Sequence, residues 1–89
     1  MKAIITVVGP DRVGIIGGIC SKLTDWNVNV LDLSQTILVG NFTMMMAVDL
    51  ERASLDFPSL SEALNELGAE MGMSIRIQRE EIFDAISEI

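Results

Sequence analysis

Gly9-Pro10-Asp11-Arg12-Val13-Gly14-Ile15-Ile16 is the stretch of this chain whose residue types and spacing could do chemistry. It lies where a first apolar run gives way to a helical pattern. A turn there ends a strand, opens a helix and gathers unpaired backbone N–H groups at one spot. Such a helix start attracts anions, including the carboxylate of a small metabolite. Asp11 could accept from an ammonium group. Arg12 could pair with a carboxylate or simply face solvent, and Gly14 lets a ligand approach the backbone. The rest of the sequence offers no rival site.

Composition narrows the chemistry. The chain has 89 residues, one cysteine, no histidine and a formal net charge of −7. An acidic surface repels phosphate backbones and anionic membranes, so neither nucleic acid nor membrane is an expected partner. A lone Cys20 cannot close an internal disulfide. It lies inside an apolar helical pattern, where packing explains it better than reactivity. No metal-ligand spacing occurs, so no metal and no cofactor are expected. Without histidine there is no Ser/His or Cys/His arrangement, and no carboxylates pair at matched spacing on adjacent elements. Arg12 and Asn29 faintly echo the phosphate-clamping Arg and water-positioning Asn of acylphosphatases, but that family's glycine-rich loop is missing. Catalysis is therefore not expected. The N-terminal apolar run is too short to span a membrane and lacks a cleavage region, so a cytoplasmic location is expected.

The elements that must position the turn follow from periodicity. Residues 2–8 are β-branched and nearly continuous, reading as a strand covered on both faces, and Gly9-Pro10 ends it. Between Val13 and Trp26 the period becomes helical, with Ile16, Ile19, Cys20, Leu23 and Trp26 on one face. Asp11 or Arg12 begins this helix, with Asp11 the better cap. Gly14, Gly17 and Gly18 fall in its first turns, where helix-on-sheet packing or room for a ligand or partner would explain them. Val28–Val39 reads as a strand. Asn29, Leu31, Leu33, Gln35 and Ile37 share one face, and Val30, Asp32, Ser34, Thr36 and Leu38 share the other. Gly40-Asn41 is the hairpin turn, and Phe42–Glu51 returns as the next strand. The Met44-Met45-Met46 run alternates faces there and serves as core and interface filler. Asp56-Phe57-Pro58 opens a second helix, striped by Leu60, Ala63, Leu64, Leu67 and Met71 and closed by Gly72. A last strand follows at Met73–Gln78, then a short helix from Glu80 to Ile89 carrying Ile82, Phe83 and Ile86.

The order β-α-β-β-α-β plus a terminal helix predicts one α+β domain over 1–89. With right-handed crossovers it forms a ferredoxin-like sandwich, a four-stranded antiparallel sheet carrying both helices on one face. This apolar chain has more to bury than one small core absorbs. A second copy or the terminal helix should cover what is left, and a homodimer is the expectation. That fold hosts several functions, so the residues must choose among them. The loop has no Cys-x-x-Cys pair for a metallochaperone, and the strands lack the aromatics of an RNA binder.

The Gly9–Ile16 turn, followed by Trp26-Asn27-Val28-Asn29-Val30, resembles the ACT domain. That family places a G-x-D-R-x-G-hydrophobic turn after its first strand and an Asn-hydrophobic pair at the start of its second. The resemblance covers nearly the whole chain. It extends to the small stand-alone ACT-domain proteins of bacteria and archaea through Ser34-Gln35-Thr36 and Phe42-Thr43-Met44-Met45. It implies allosteric regulation by a small molecule, often an amino acid, held near the first turn at a dimer interface. Carried onto this sequence, the binding residues are Asp11, Arg12, Val13, Gly14, Ile15 and Asn29. One departure bears on ligand choice: where some amino-acid-binding members place a contacting histidine, this chain has Gly9. A second function fits the same fold, an interaction module that regulates a separate partner chain and binds nothing small.

Overall fold

In a computed structural model, which describes residues 1–81, the chain runs β1 (Lys2–Pro10), α1 (Ile15–Asp25), β2 (Asn29–Leu38), β3 (Asn41–Asp49), α2 (Phe57–Met71) and β4 (Ser74–Arg79). The four strands form one antiparallel sheet in the order β2-β3-β1-β4. This is the expected ferredoxin-like arrangement, two split βαβ halves interleaved so that β1 and β3 are central. Glu80 and Glu81 are helical; the rest of the terminal helix expected over 80–89 lies outside the described residues.

Burial is one-sided, and strand alternation decides which side. Ala3, Ile5 and Val7 of β1, Phe42, Met44, Met46 and Val48 of β3, and Ile75 and Ile77 of β4 are buried beneath the helices. They meet Ile15, Ile19 and Leu23 of α1 and Leu60, Leu64 and Leu67 of α2 in one continuous core. The methionine run divides as its alternation demands: Met44 and Met46 point inward, while Met45 is exposed on the opposite face.

Local signals set the ends of α2. Asp56 caps its start, its carboxylate accepting from the Ser59 N–H at 2.8 Å, with Pro58 in the first turn. The same Ser59 donors hold the Asp56 carboxyl below its ordinary value. Gly72 ends the helix in the left-handed region at φ 69°. Gly68 lies on the buried side of α2, where an added Cβ would come within 2.6 Å of the Met73 carbonyl oxygen. Only glycine lets α2 lie this close to the start of β4.

Two expectations about strands need correction. β1 does not stop at Val8: Gly9 and Pro10 stay in the sheet, opposite Phe42 and Asn41. Proline is admissible there because it stands at the strand's end. In β2, the register shifts between Val30 and Asp32, so that Leu31 is an extra residue. A bulge of this kind reverses the face of everything before it. Val30 therefore sits opposite Val48 on the helix-covered face, together with Leu33, Gln35 and Ile37, rather than with Asp32 and Ser34. Every residue of β2 except Val30 is exposed, because this edge strand lies beyond the reach of the helices.

The hairpin turn is Val39-Gly40, not Gly40-Asn41. Both residues have positive φ, 51° and 76°, as a two-residue type I′ turn requires. A β-branched residue in that region is strained by about 1–2 kcal/mol. Val39→Asn should therefore raise stability by about 1 kcal/mol. A urea titration reads this as a higher midpoint at unchanged slope; an unchanged or lower midpoint would contradict the strain.

Candidate functional site

The turn after β1 is a four-residue passage, Asp11 to Gly14, that lifts the chain from the sheet into α1. Its first contact is with the hairpin: the Asp11 N–H donates to the Gly40 carbonyl at 3.0 Å. Its second is with the far end of the molecule's other helix. The Arg12 guanidinium donates through one Nη to the carbonyl oxygen of Met71, the last residue of α2. A cation on the unsatisfied carbonyls of a helix C-terminus is favourable both as a hydrogen bond and against the helix dipole. Arg12 thus fastens the turn to α2, with donors of its five-donor fork to spare.

The helix begins later than the periodicity suggests. Asp11 does not cap it. The N-cap is Gly14, in the left-handed region at φ 92°, and no side chain caps this end. No acidic residue stands in the first turn of α1. The Gly18 N–H bonds the Gly14 carbonyl, which leaves the N–H groups of Ile15, Ile16 and Gly17 at the mouth of the helix. A Cβ at Gly14 or Gly17 would meet nothing within 4 Å. Val13, at the tip, is fully exposed, while Ile15 is buried and anchors the helix start in the core. The two helices thus contrast: α2 starts under a carboxylate of its own, whereas α1 presents free donors and open space. Such an end receives an anionic group.

Gly9 has a different reason to be glycine. An added Cβ would lie 2.5 Å from Met73 Sδ and 2.9 Å from its Cε. The space that a side chain at this position would need is occupied by a buried thioether.

Asn29 is not beside the turn. It opens β2 opposite Asp49, which is itself opposite Lys2. The turn follows Pro10, opposite Asn41 at the other end of the same strands. From Lys2 to Pro10 the sheet runs about 26 Å at roughly 3.3 Å per residue. Around Asn29 lies a cavity of about 240 Å³, lined also by Asn27, Asp49, Glu51 and Arg52. Asn27 adopts φ 57° and donates through Nδ2 to the Arg52 carbonyl at 2.7 Å, while the Glu51 N–H donates to Asp49 Oδ1 at 3.0 Å. The first of these bonds ties the loop after β3 to the residues just before β2, and the second is local to the end of β3. Sequence reasoning missed Asp49, Glu51 and Arg52 as neighbours of Asn29, because strand pairing rather than sequence spacing brings them there.

Among the described residues no cluster of His, Cys, Asp and Glu could hold a metal, and no helix is long and apolar enough to cross a membrane. Cys20 is half-buried in α1.

Comparison with known proteins agrees with the fold. A family model described as the ACT domain matches residues 2–78. A UPF0237 protein of Bifidobacterium longum is 54% identical over 88 residues, covering 99% of this chain and 98% of its own. Among solved structures, an ACT domain protein from Streptococcus pneumoniae superposes with a TM-score of 0.83 at 41% identity, covering 93% of each chain. A formyltetrahydrofolate deformylase from Pseudomonas syringae pv. tomato superposes with a TM-score of 0.80 at 25% identity, over 88% of this chain and 27% of its own.

The two glycines at the helix start should respond oppositely to alanine. Gly14→Ala forces a side chain into the left-handed region and should cost about 1 kcal/mol. Gly17→Ala meets open space and should add about 0.5–1 kcal/mol through helix propensity. Denaturant midpoints of the two variants test this; equal shifts of the same sign would contradict the assigned backbone.

Proposed function

The chain belongs to the ACT domain family, and from that premise we propose that it works as a homodimeric sensor of an amino acid, without catalysis of its own, in the cytoplasm. ACT domains are regulatory, ligand-binding domains. The observation that carries the reading for this chain is the separation of its two candidate half-sites. The turn offers free helix donors, and Asn29 offers an amide about 26 Å away at roughly 3.3 Å per strand residue. One copy cannot use both on one small molecule.

A second copy can. β2 is an edge strand of ten residues, exposed almost throughout, with Leu31, Leu33, Ile37 and Leu38 among its exposed residues. A long, apolar, unpaired edge is a hazard unless something pairs with it. Two such edges related by a two-fold axis pair antiparallel and self-complementarily. Antiparallel pairing sets the Asn29 end of one β2 beside the Leu38 end of the other. Leu38 leads into the hairpin whose Gly40 carbonyl holds Asp11. Each turn would then face its partner's Asn29, giving two equivalent sites per dimer.

The chemistry of each site follows. The ligand carboxylate lies on the N–H groups of Ile15, Ile16 and Gly17, where the helix dipole favours negative charge. A spare donor of Arg12 assists. The ammonium group lies between the Asp11 carboxylate and the partner's Asn29 side-chain oxygen. The side chain of the ligand meets the exposed Val13, which favours apolar over charged amino acids. Because both copies contribute, occupancy stabilises the dimer by mass action and passes to a separate regulated protein through the dimer's surface.

Titration of isotope-labelled protein with individual amino acids tests this. One ligand should move the backbone amides of Gly14 to Gly17 and the Asn29 side-chain amide together, with two bound per dimer. At 100 times Kd it should add ~2.7 kcal/mol of stability. If no amino acid moves the turn amides while a partner protein still co-purifies stoichiometrically, the chain is an interaction module instead.

A further inference from the structure

Val39, at the tip of the β2–β3 hairpin, is unfavourable in two ways at once. It stands at φ 51°, where a β-branched side chain is strained. It is also 91% exposed, so nearly all of its apolar surface meets water, and Leu38 beside it is 70% exposed. Asparagine would fit this turn better on both counts. Local strain of this kind persists where the residue serves a contact. The exposure of Val39 places that contact outside the copy that carries it.

A matching depression lies at the other end of β2. It measures about 210 Å³ and is lined by Thr24, Asn27, Val28, Asn29 and Arg52. It shares Asn27, Asn29 and Arg52 with the cavity described above, but no carboxylate lines it. Two of its polar groups are already engaged: the Thr24 hydroxyl donates to the Cys20 carbonyl at 2.9 Å, and Asn27 Nδ2 to the Arg52 carbonyl at 2.7 Å. Groups satisfied within the chain make no demand on an occupant. The depression beside Val28 therefore suits an apolar side chain better than an ion.

Projection and depression at opposite ends of one edge strand are what a two-fold axis brings together. In the antiparallel pairing of β2 edges, Asn29 of one copy lies beside Leu38 of the other. One residue further out on each strand, Val28 and Val39 come side by side, about 5 Å apart. Two such contacts form per dimer, one at each end of the paired strands.

We propose that Val39 of each copy seats in its partner's depression at Thr24, Val28 and Asn29 and so fixes the register of the pair. The inference rests on the dimeric reading above and names the residue that aligns it. Gly40, next in the chain, carries the carbonyl that holds Asp11, so seating Val39 sets the turn against the partner's Asn29. One residue strains the monomer and aligns the dimer.

Val39→Asn separates the two effects. Sedimentation of the wild type should show a dimer, and the variant's dissociation constant should rise about tenfold or more, because two apolar contacts are lost. The urea midpoint of the same variant, read in protein diluted below that constant, should rise instead. A dissociation constant unchanged within about twofold would overturn the seat and leave the dimeric sensor standing. A wild type that stays monomeric at every concentration would overturn both. Cross-linking reads the seat directly. In a Cys20→Ser background, Val39→Cys chains mixed with Thr24→Cys chains should form a disulfide-linked dimer under mild oxidation. Neither variant should link to itself, since like positions lie at opposite ends of the pair. A dimeric mixture that does not link, or Val39→Cys linking to itself equally well, would contradict the proposal.

Discussion

One-sided burial of β1 and β3 is the constraint from which the rest of this structure follows. Their alternate residues, Ala3, Ile5, Val7, Met44, Met46 and Val48, are fully buried, and each removes apolar surface from water only because both helices lie on the same face. With β1 and β3 central, α1 and α2 are spent on the middle of the sheet and on β4. β2 is left outside that cover. Its ten residues keep the polar-apolar mixture of a strand that must meet something else, and its bulge turns Val30 back to the core while Leu31 projects outward. The edge available for pairing is thus a consequence of where the core is, not an independent feature.

The same constraint explains why the turn can stay open. Ile15 drives the start of α1 into the core, so the helix needs no side-chain cap to hold its position. Arg12 on the Met71 carbonyl and Asp11 on the Gly40 carbonyl fix the turn from both sides. What remains unsatisfied is concentrated in three backbone N–H groups and the space above Gly14 and Gly17. α2, which ends against the turn, has the opposite design: the Asp56 carboxylate takes the Ser59 N–H and Pro58 has no N–H to offer, so its start is already capped.

Features made by neighbours in sequence were legible there. Asp56, Pro58 and Gly72 mark the ends of α2 because caps act within one helical turn. The strand order follows from alternating periods and crossover handedness. Features made by distant residues were not legible. Gly9 reads as a departure from a ligand-contacting histidine, yet Met73 is what excludes a side chain there. Asp11 reads as a cap, yet the pairing of Pro10 with Asn41 carries the strand on and moves the helix start to Gly14. The bulge at Leu31 leaves no mark in composition, and it alone changes the face of Val30. Asn29 could be named from its motif, but only the register places it at the far end of the sheet from the turn.

In the proposed dimer each ligand site is shared between two copies, the turn of one and Asn29 of the other. Subunit complementation tests it most directly. Gly17→Asp places a carboxylate where the ligand's would lie, at a helix start that tolerates it, and Asn29→Ala removes the partner's amide. Each variant alone should fail to bind the amino acid that titrates the wild type, since every site in either homodimer carries one lesion. After equimolar mixing and subunit exchange, half the dimers are hybrids with one intact site, so about one quarter of wild-type binding capacity should return. A mixture that stays silent, although exchange has occurred, would mean that both residues act within one chain and would contradict the account.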